Sequence, residues 1–206
     1  MKASVLLLAT RYDAASYHTY QWAEFLQGDL IRQGHTCLLL DGVGLCRAGS
    51  GLDEAIKCVD YVVFFGHGET GEWTALPALA GKSSTPLVDI SSVSILQGRK
   101  VYAGCCWSVS NLGVAYASQF SSGEYIGYNQ PFSFELANEA NFRDVVNQSV
   151  IAFVKGDSAP KVVNDLGKEW ANLRDDFHRG FLKNRPNAAM ASYMADNNRK
   201  CVQHKP

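Results

Sequence analysis

The chain has 206 residues, 47% of them apolar and 19% charged, and a formal net charge of −1. That balance lacks the basic excess that draws a protein to nucleic acid or an anionic membrane surface, and no apolar run is long enough to span a bilayer. The expectation is one globular domain over residues 1–206, with enough chain to bury a substantial core.

Residues 3–9 read as a buried strand. The apolar run is too short for a signal peptide and is followed at once by Arg11, Tyr12 and Asp13, so a cytoplasmic protein is expected. From Ala15 to Gly34 the apolar residues Tyr17, Tyr20, Trp22, Phe25, Leu26, Leu30 and Ile31 fall at helical spacing, and Gly34 ends the helix. Strands follow at Thr36–Leu40 and Asp60–Phe65, with a short helix at Leu52–Cys58 between them. After Gly68 a polar, glycine-containing segment leads into a long connection through Pro77 and Pro86, a length that carries either function or a small hairpin. Lys100–Gly104 and Glu124–Tyr128 are the fourth and fifth strands, separated by a helix at Asn111–Gln119. Phe142–Val154, Val162–Arg174 and Ala188–Ala195 are helical by pattern. Alternation of this kind specifies an α/β fold with a mainly parallel sheet between layers of helix.

Six cysteines, Cys37, Cys46, Cys58, Cys105, Cys106 and Cys201, sit in a chain of this size partly within apolar runs, which reads as reduced thiols rather than a disulfide framework. No Cys or His spacing suits zinc, and neither metal nor cofactor is expected. Gly42-Val43-Gly44 lacks the remaining glycine and the long helix of a nucleotide loop. Asp89 reads as a turn cap, His18 as a surface or satisfied histidine on an amphipathic helix, and His178 and His204 lie in polar regions with no partner nearby in sequence.

Two strand ends carry chemistry. Val62-Val63-Phe64-Phe65-Gly66-His67-Gly68 delivers an imidazole followed by glycine, and Val101-Tyr102-Ala103-Gly104-Cys105-Cys106-Trp107-Ser108 delivers a thiol. Reacting groups in an open parallel sheet gather beyond the carboxyl ends of its strands, so neighbouring strands of this kind would set a base beside a nucleophile. Gly68 would let a substrate approach closely and offer its N–H to an oxyanion. Consecutive strand residues face opposite sides, so one of Cys105 and Cys106 belongs to the core. A helix starting beyond the thiol would lower its pKa.

Together these ends resemble the caspase-like clan of cysteine peptidases, and most closely its bacterial CHAT-type domains. The resemblance runs on through Pro86–Ile90, Leu96–Ala103 and Tyr125–Tyr128, covering roughly residues 60–175. It implies a three-layer sandwich with helices on both faces of the central sheet, and a His67–Cys106 dyad cleaving peptide bonds. Cys106-Trp107-Ser108 fits the family's thiol segment, with Cys105 as the alternative nucleophile. The Gln-Ala-Cys-Arg-Gly signature of true caspases is absent. The resemblance also places a substrate pocket among Arg11-Tyr12-Asp13, Ala103-Gly104, Tyr128 and the Asn129–Glu135 loop. Asp13 and Glu135 there would favour a basic residue before the scissile bond, whereas Arg11 would favour an acidic one and Asp13 is equally suited to cap a helix. The implied partners are a protein or peptide substrate and a regulatory protein. The rival reading is an inactive module of the same fold that only binds partners. An amidotransferase-like protein fits less well, because its nucleophile elbow would precede the histidine.

Overall fold

Leu6, Leu7, Leu8, Val62, Val63, Phe64, Val101, Tyr102 and Ala103 are all fully buried, so these strands are covered on both faces, as unbroken apolar runs in a parallel sheet require. The computed structural model describes residues 2–41, 51–76, 85–121 and 123–206. Gly42-Val43-Gly44, Cys46 and Pro77 lie outside the described residues.

The central sheet contains β1 (Ser4–Ala9), β2 (Thr36–Asp41), β3 (Tyr61–Phe65), β7 (Lys100–Gly104), β8 (Glu124–Tyr128) and β9 (Val202–Lys205), in the order β2-β1-β3-β7-β8-β9. All neighbours are parallel except β9, which runs antiparallel to β8. A second, three-stranded antiparallel sheet is formed by β4 (Gly68–Glu69), β5 (Glu72–Leu76) and β6 (Thr85–Asp89) within the long connection after β3. The helices are α1 (Ala14–Arg32), α2 (Leu52–Lys57), α3 (Asn111–Gln119), α4 (Glu139–Val154), α5 (Ala159–His178) and α6 (Ala188–Cys201).

Strand alternation sorts the core into two layers. Val5, Leu7, Val63, Phe65 and Tyr102 pack against Trp22 and Leu26 of α1, Phe142 and Val150 of α4, and Trp170 of α5. Leu6, Leu8, Val62, Phe64 and Val101 pack on the other face against Ile56 of α2, Leu112 and Tyr116 of α3, and Trp73 and Val88 of the small sheet. The expected α/β fold, a mainly parallel sheet with helices on both faces, is what the structure has.

Several ends move from their expected places. Helix α4 begins at Glu139 rather than Phe142, and α5 runs from Ala159, with Pro160 in its first turn, to His178. Polar and proline starts lie outside the apolar repeat, so periodicity finds a helix late. Strand β9 was not expected. Val-Gln-His-Lys has little strand character of its own and extends because β8 offers it an open edge.

The chain passes from β1 to β2 on one side and returns to β3 on the other. This reversal puts a crevice at the carboxyl ends of β1 and β3.

Candidate active site

Parallel pairing aligns Ala9 with Phe65 and Phe65 with Gly104, so β1, β3 and β7 end level with one another. His67 and Cys106 each follow two residues beyond a matched strand end. The β1–α1 loop carries Asp13 to the same edge.

Asp13 caps α1: its Oδ1 accepts from the Ser16 backbone N–H at 2.8 Å, and the Ser16 hydroxyl oxygen accepts in turn from the Asp13 backbone N–H at 3.0 Å. The other carboxylate oxygen, Oδ2, lies 2.8 Å from His67 Nε2. The His67 ring also stacks on Tyr12 with centroids 5.5 Å apart. Partial burial pushes the Asp13 carboxyl up, but the bonds from Ser16 and the charge of the neighbouring His67 outweigh it and hold the group below the usual aspartate range.

A carboxyl depressed in the folded state stabilises the fold above its unfolded pKa, and that contribution is lost as pH falls through the folded value. Asn caps a helix as well as Asp does. Asp13→Asn is therefore expected to keep the cap but lose the carboxylate's contribution, lowering the melting temperature modestly at neutral pH, to flatten acid destabilisation below about pH 4 so that the two chains converge there, and to slow any His67-dependent reaction by roughly tenfold or more. Thermal melts across pH, with turnover at neutral pH, check all three.

Of the two thiols, Cys105 is 1% exposed and packs with Phe64 and Trp73 on the small-sheet side. Burial pushes its thiol far up. Cys106 is half-buried, and its Sγ donates to the Phe132 carbonyl at 3.7 Å. The two side chains thus divide between core and crevice. The expected lowering of the Cys106 pKa is not found. Burial pushes this thiol up as well, and contacts with the Phe132 backbone and its own amide only partly offset the effect. The helix cannot supply the missing stabilisation: α3 starts at Asn111, and its leading N–H groups at Asn111 and Leu112 both donate to the Thr70 carbonyl, at 2.8 and 3.1 Å. No hydrogen bond joins Cys106 Sγ to the His67 ring.

Backbone contact between the two segments is close. A Cβ on Gly68 would lie 2.6 Å from the Cys106 carbonyl oxygen and 2.7 Å from Cys105 Sγ. Glycine at this position is thus demanded by the approach of the thiol turn. That turn is strained at Trp107, whose φ is 57°, and it is pinned by Ser108. The fully buried Ser108 hydroxyl lies 3.1 Å from the Ala103 carbonyl and 3.0 Å from the Cys105 carbonyl, and accepts from the Tyr128 N–H at 3.1 Å. Ser108→Ala would leave these buried groups without a partner and is expected to cost about 1–3 kcal/mol, measurable by denaturant unfolding.

The residues expected to form a substrate pocket are elsewhere engaged. Glu135 is 8% exposed, and its two oxygens accept from Asn138 and Asn187, each at 2.8 Å. Asp13 is held by Ser16 and His67. Arg11 pairs with Asp41 at 2.5 Å. The counting of free carboxylates that favoured a basic substrate residue therefore loses its premise. Tyr128 is fully buried, its ring 4.8 Å from that of Phe132, and Gly104 is buried with its α-carbon against the Phe65 ring. Neither presents a surface to a ligand. Asp89 is a turn cap, accepting from the Ser92 N–H at 2.9 Å.

The pairing of Asp13 with His67 escaped the sequence reading, which saw Asp13 only as a cap or a substrate contact. A cap signal is local and says nothing of what faces the second carboxylate oxygen. Among the described residues, no group of three or more His, Cys, Asp or Glu side chains is placed to hold a metal ion. Cys37, Cys58, Cys105, Cys106 and Cys201 are free thiols, and no described helix is long and apolar enough to cross a membrane. Compared with known proteins, the chain matches no family model and shows no significant similarity to a curated protein.

Proposed function

We propose that the protein is a cysteine endopeptidase of caspase-like type, working in the cytoplasm with His67 as base and Cys106 as nucleophile. The observation that carries this reading is the level ending of β1, β3 and β7, which gathers Asp13, His67 and the Cys106 turn at one crevice. Strand order β2-β1-β3-β7-β8-β9, with an antiparallel last strand, supports it.

In this mechanism His67 takes the Cys106 proton and the sulfur attacks the scissile carbonyl carbon. The resulting oxyanion is met by the N–H groups of Gly68 and Cys106. Collapse breaks the C–N bond, His67 hands its proton to the leaving amine, and a thioester remains on Sγ. Water, deprotonated by His67, then attacks the thioester carbon; the C–Sγ bond breaks, the acid is released, and His67 returns its proton to the Cys106 sulfur. Asp13 orients the imidazole and stabilises its protonated form. Specificity for a basic residue is not part of the reading, because Glu135 and Asp13 are already paired.

One observation favours the rival reading of an inactive binding module: the Cys106 thiol is pushed up and bonded to Phe132 rather than to His67. A peptide-library cleavage profile, run beside labelling with acyloxymethyl-ketone peptides, separates the two. Cleavage of any peptide, lost in Cys106→Ala, supports the peptidase. A folded protein that neither cleaves nor labels is the binding module.

A further inference from the structure

The Cys106 thiol touches the segment that follows β8, residues 129–135, and that segment is fastened to α6 at closely spaced points. Asn197 Nδ2 donates to the Pro131 carbonyl at 2.9 Å. Asn198, fully buried, grips Ser133 twice: its Oδ1 accepts from the Ser133 N–H at 3.1 Å and its Nδ2 donates to the Ser133 carbonyl at 2.7 Å. The residue between these two anchors is Phe132, whose carbonyl accepts from Cys106 Sγ. The Phe132 ring is itself seated, with centroids 4.8 Å from Tyr128 and 6.1 Å from Trp22. Further along, Asn187 and Asn138 hold Glu135, and the Asn129 N–H donates to the Cys201 carbonyl at 2.9 Å.

We propose that residues 129–135 form an autoinhibitory strap: Asn197 and Asn198 of α6 hold the Phe132 backbone on the Cys106 thiol, shielding it and occupying its S–H in place of His67. The inference rests on Cys106 being the reactive thiol and adds a means of control to that reading. Paired amide bonds on both flanks of Phe132 fix the carbonyl more tightly than one contact would, because each neighbour of Phe132 loses its freedom to swing. A buried asparagine bridging both backbone groups of one residue is also costly to leave unpaired, so the strap stays closed until α6 shifts or a substrate displaces it. S–H···O contacts are weak, so the hold on the thiol itself is readily exchanged for a stronger partner once the backbone is freed.

The test is alkylation of the full chain by iodoacetamide at neutral pH, read thiol by thiol by mass spectrometry, in the parent, Asn197→Ala and Asn198→Ala. Exposed Cys58 serves as the internal reference, and half-buried Cys37 and buried Cys105 report general loosening; Cys201 is left out, because its Sγ donates to Asn197 Oδ1 at 3.7 Å. Release of the strap is expected to speed labelling of Cys106 by about threefold or more, with Cys37, Cys58 and Cys105 unchanged. Because Asn198 is buried and its loss destabilises, the half-buried Asn197 gives the same reading in a chain whose melting temperature stays within about 4 °C of the parent. Unchanged or slower labelling of Cys106 in folded Asn197→Ala overturns the strap, as does acceleration that Cys37 and Cys105 share. The readout needs no substrate: faster labelling in a chain that cleaves nothing upholds the strap and removes only the peptidase reading.

Discussion

Cys106→Ala is expected to abolish peptide cleavage, by roughly 10⁴-fold or more, while leaving the melting temperature close to that of the parent. The side chain is half-buried and makes one weak bond to Phe132, so little packing is lost with it. Cys105→Ala should behave in the opposite sense. Its sulfur is 1% exposed in the layer shared with Phe64 and Trp73, and its removal opens a small cavity costing on the order of 1 kcal/mol with turnover largely retained. Denaturant unfolding and peptide turnover on both variants check the pair. Full loss of activity in Cys105→Ala, with Cys106→Ala active, would reverse the assignment of the nucleophile.

Gly68→Ala is expected to damage both stability and activity. The added methyl would sit 2.6 Å from the Cys106 carbonyl and 2.7 Å from the Cys105 sulfur. One of these atoms is backbone and the other is a buried side chain, so neither swings clear. The strain is expected to cost about 1–3 kcal/mol, and relief would come by parting β4 from the thiol turn. That separation would move the Gly68 N–H off the oxyanion position, and losing one such donor costs roughly 10²–10³ in turnover. Gly71→Ala is the control: its methyl would approach the end of the Ile90 side chain at 3.1 Å, and Ile90 is 46% exposed, so the ring of contacts about the thiol is left alone. Equal losses in both variants would sink the argument from close approach.

Much of this architecture was legible along the chain. The strands Lys100–Gly104 and Glu124–Tyr128 and the helix Asn111–Gln119 stand where apolar runs and periodicity put them, because those signals act between near neighbours. Cys105 and Cys106 do divide as strand alternation led one to expect, but both lie in the turn beyond Gly104, so it is the turn and not a strand that separates them. His67 and Cys106 could be placed at one sheet edge once β3 and β7 were taken as parallel neighbours. Fates that depend on a distant partner were not legible. Tyr128 is chemically able to line a pocket, but β8 is covered and its ring packs on Phe132. Glu135 carries a charge suited to a basic ligand, yet Asn138 and Asn187 close on it from either side.

By itself the sequence determined where the five parallel strands run, that one of two adjacent thiols belongs to the core, and that His67 and the thiol pair follow strand ends, since each follows from pattern within a few residues. Only the tertiary structure decided that Asp13 meets His67, that β9 closes the sheet edge beside β8, and that the Cys106 thiol rests on Phe132, whose neighbours α6 holds. Those contacts join residues far apart in the chain. Which of several competent partners meets a given side chain is set by how the loops close over the sheet, and local pattern carries no record of that.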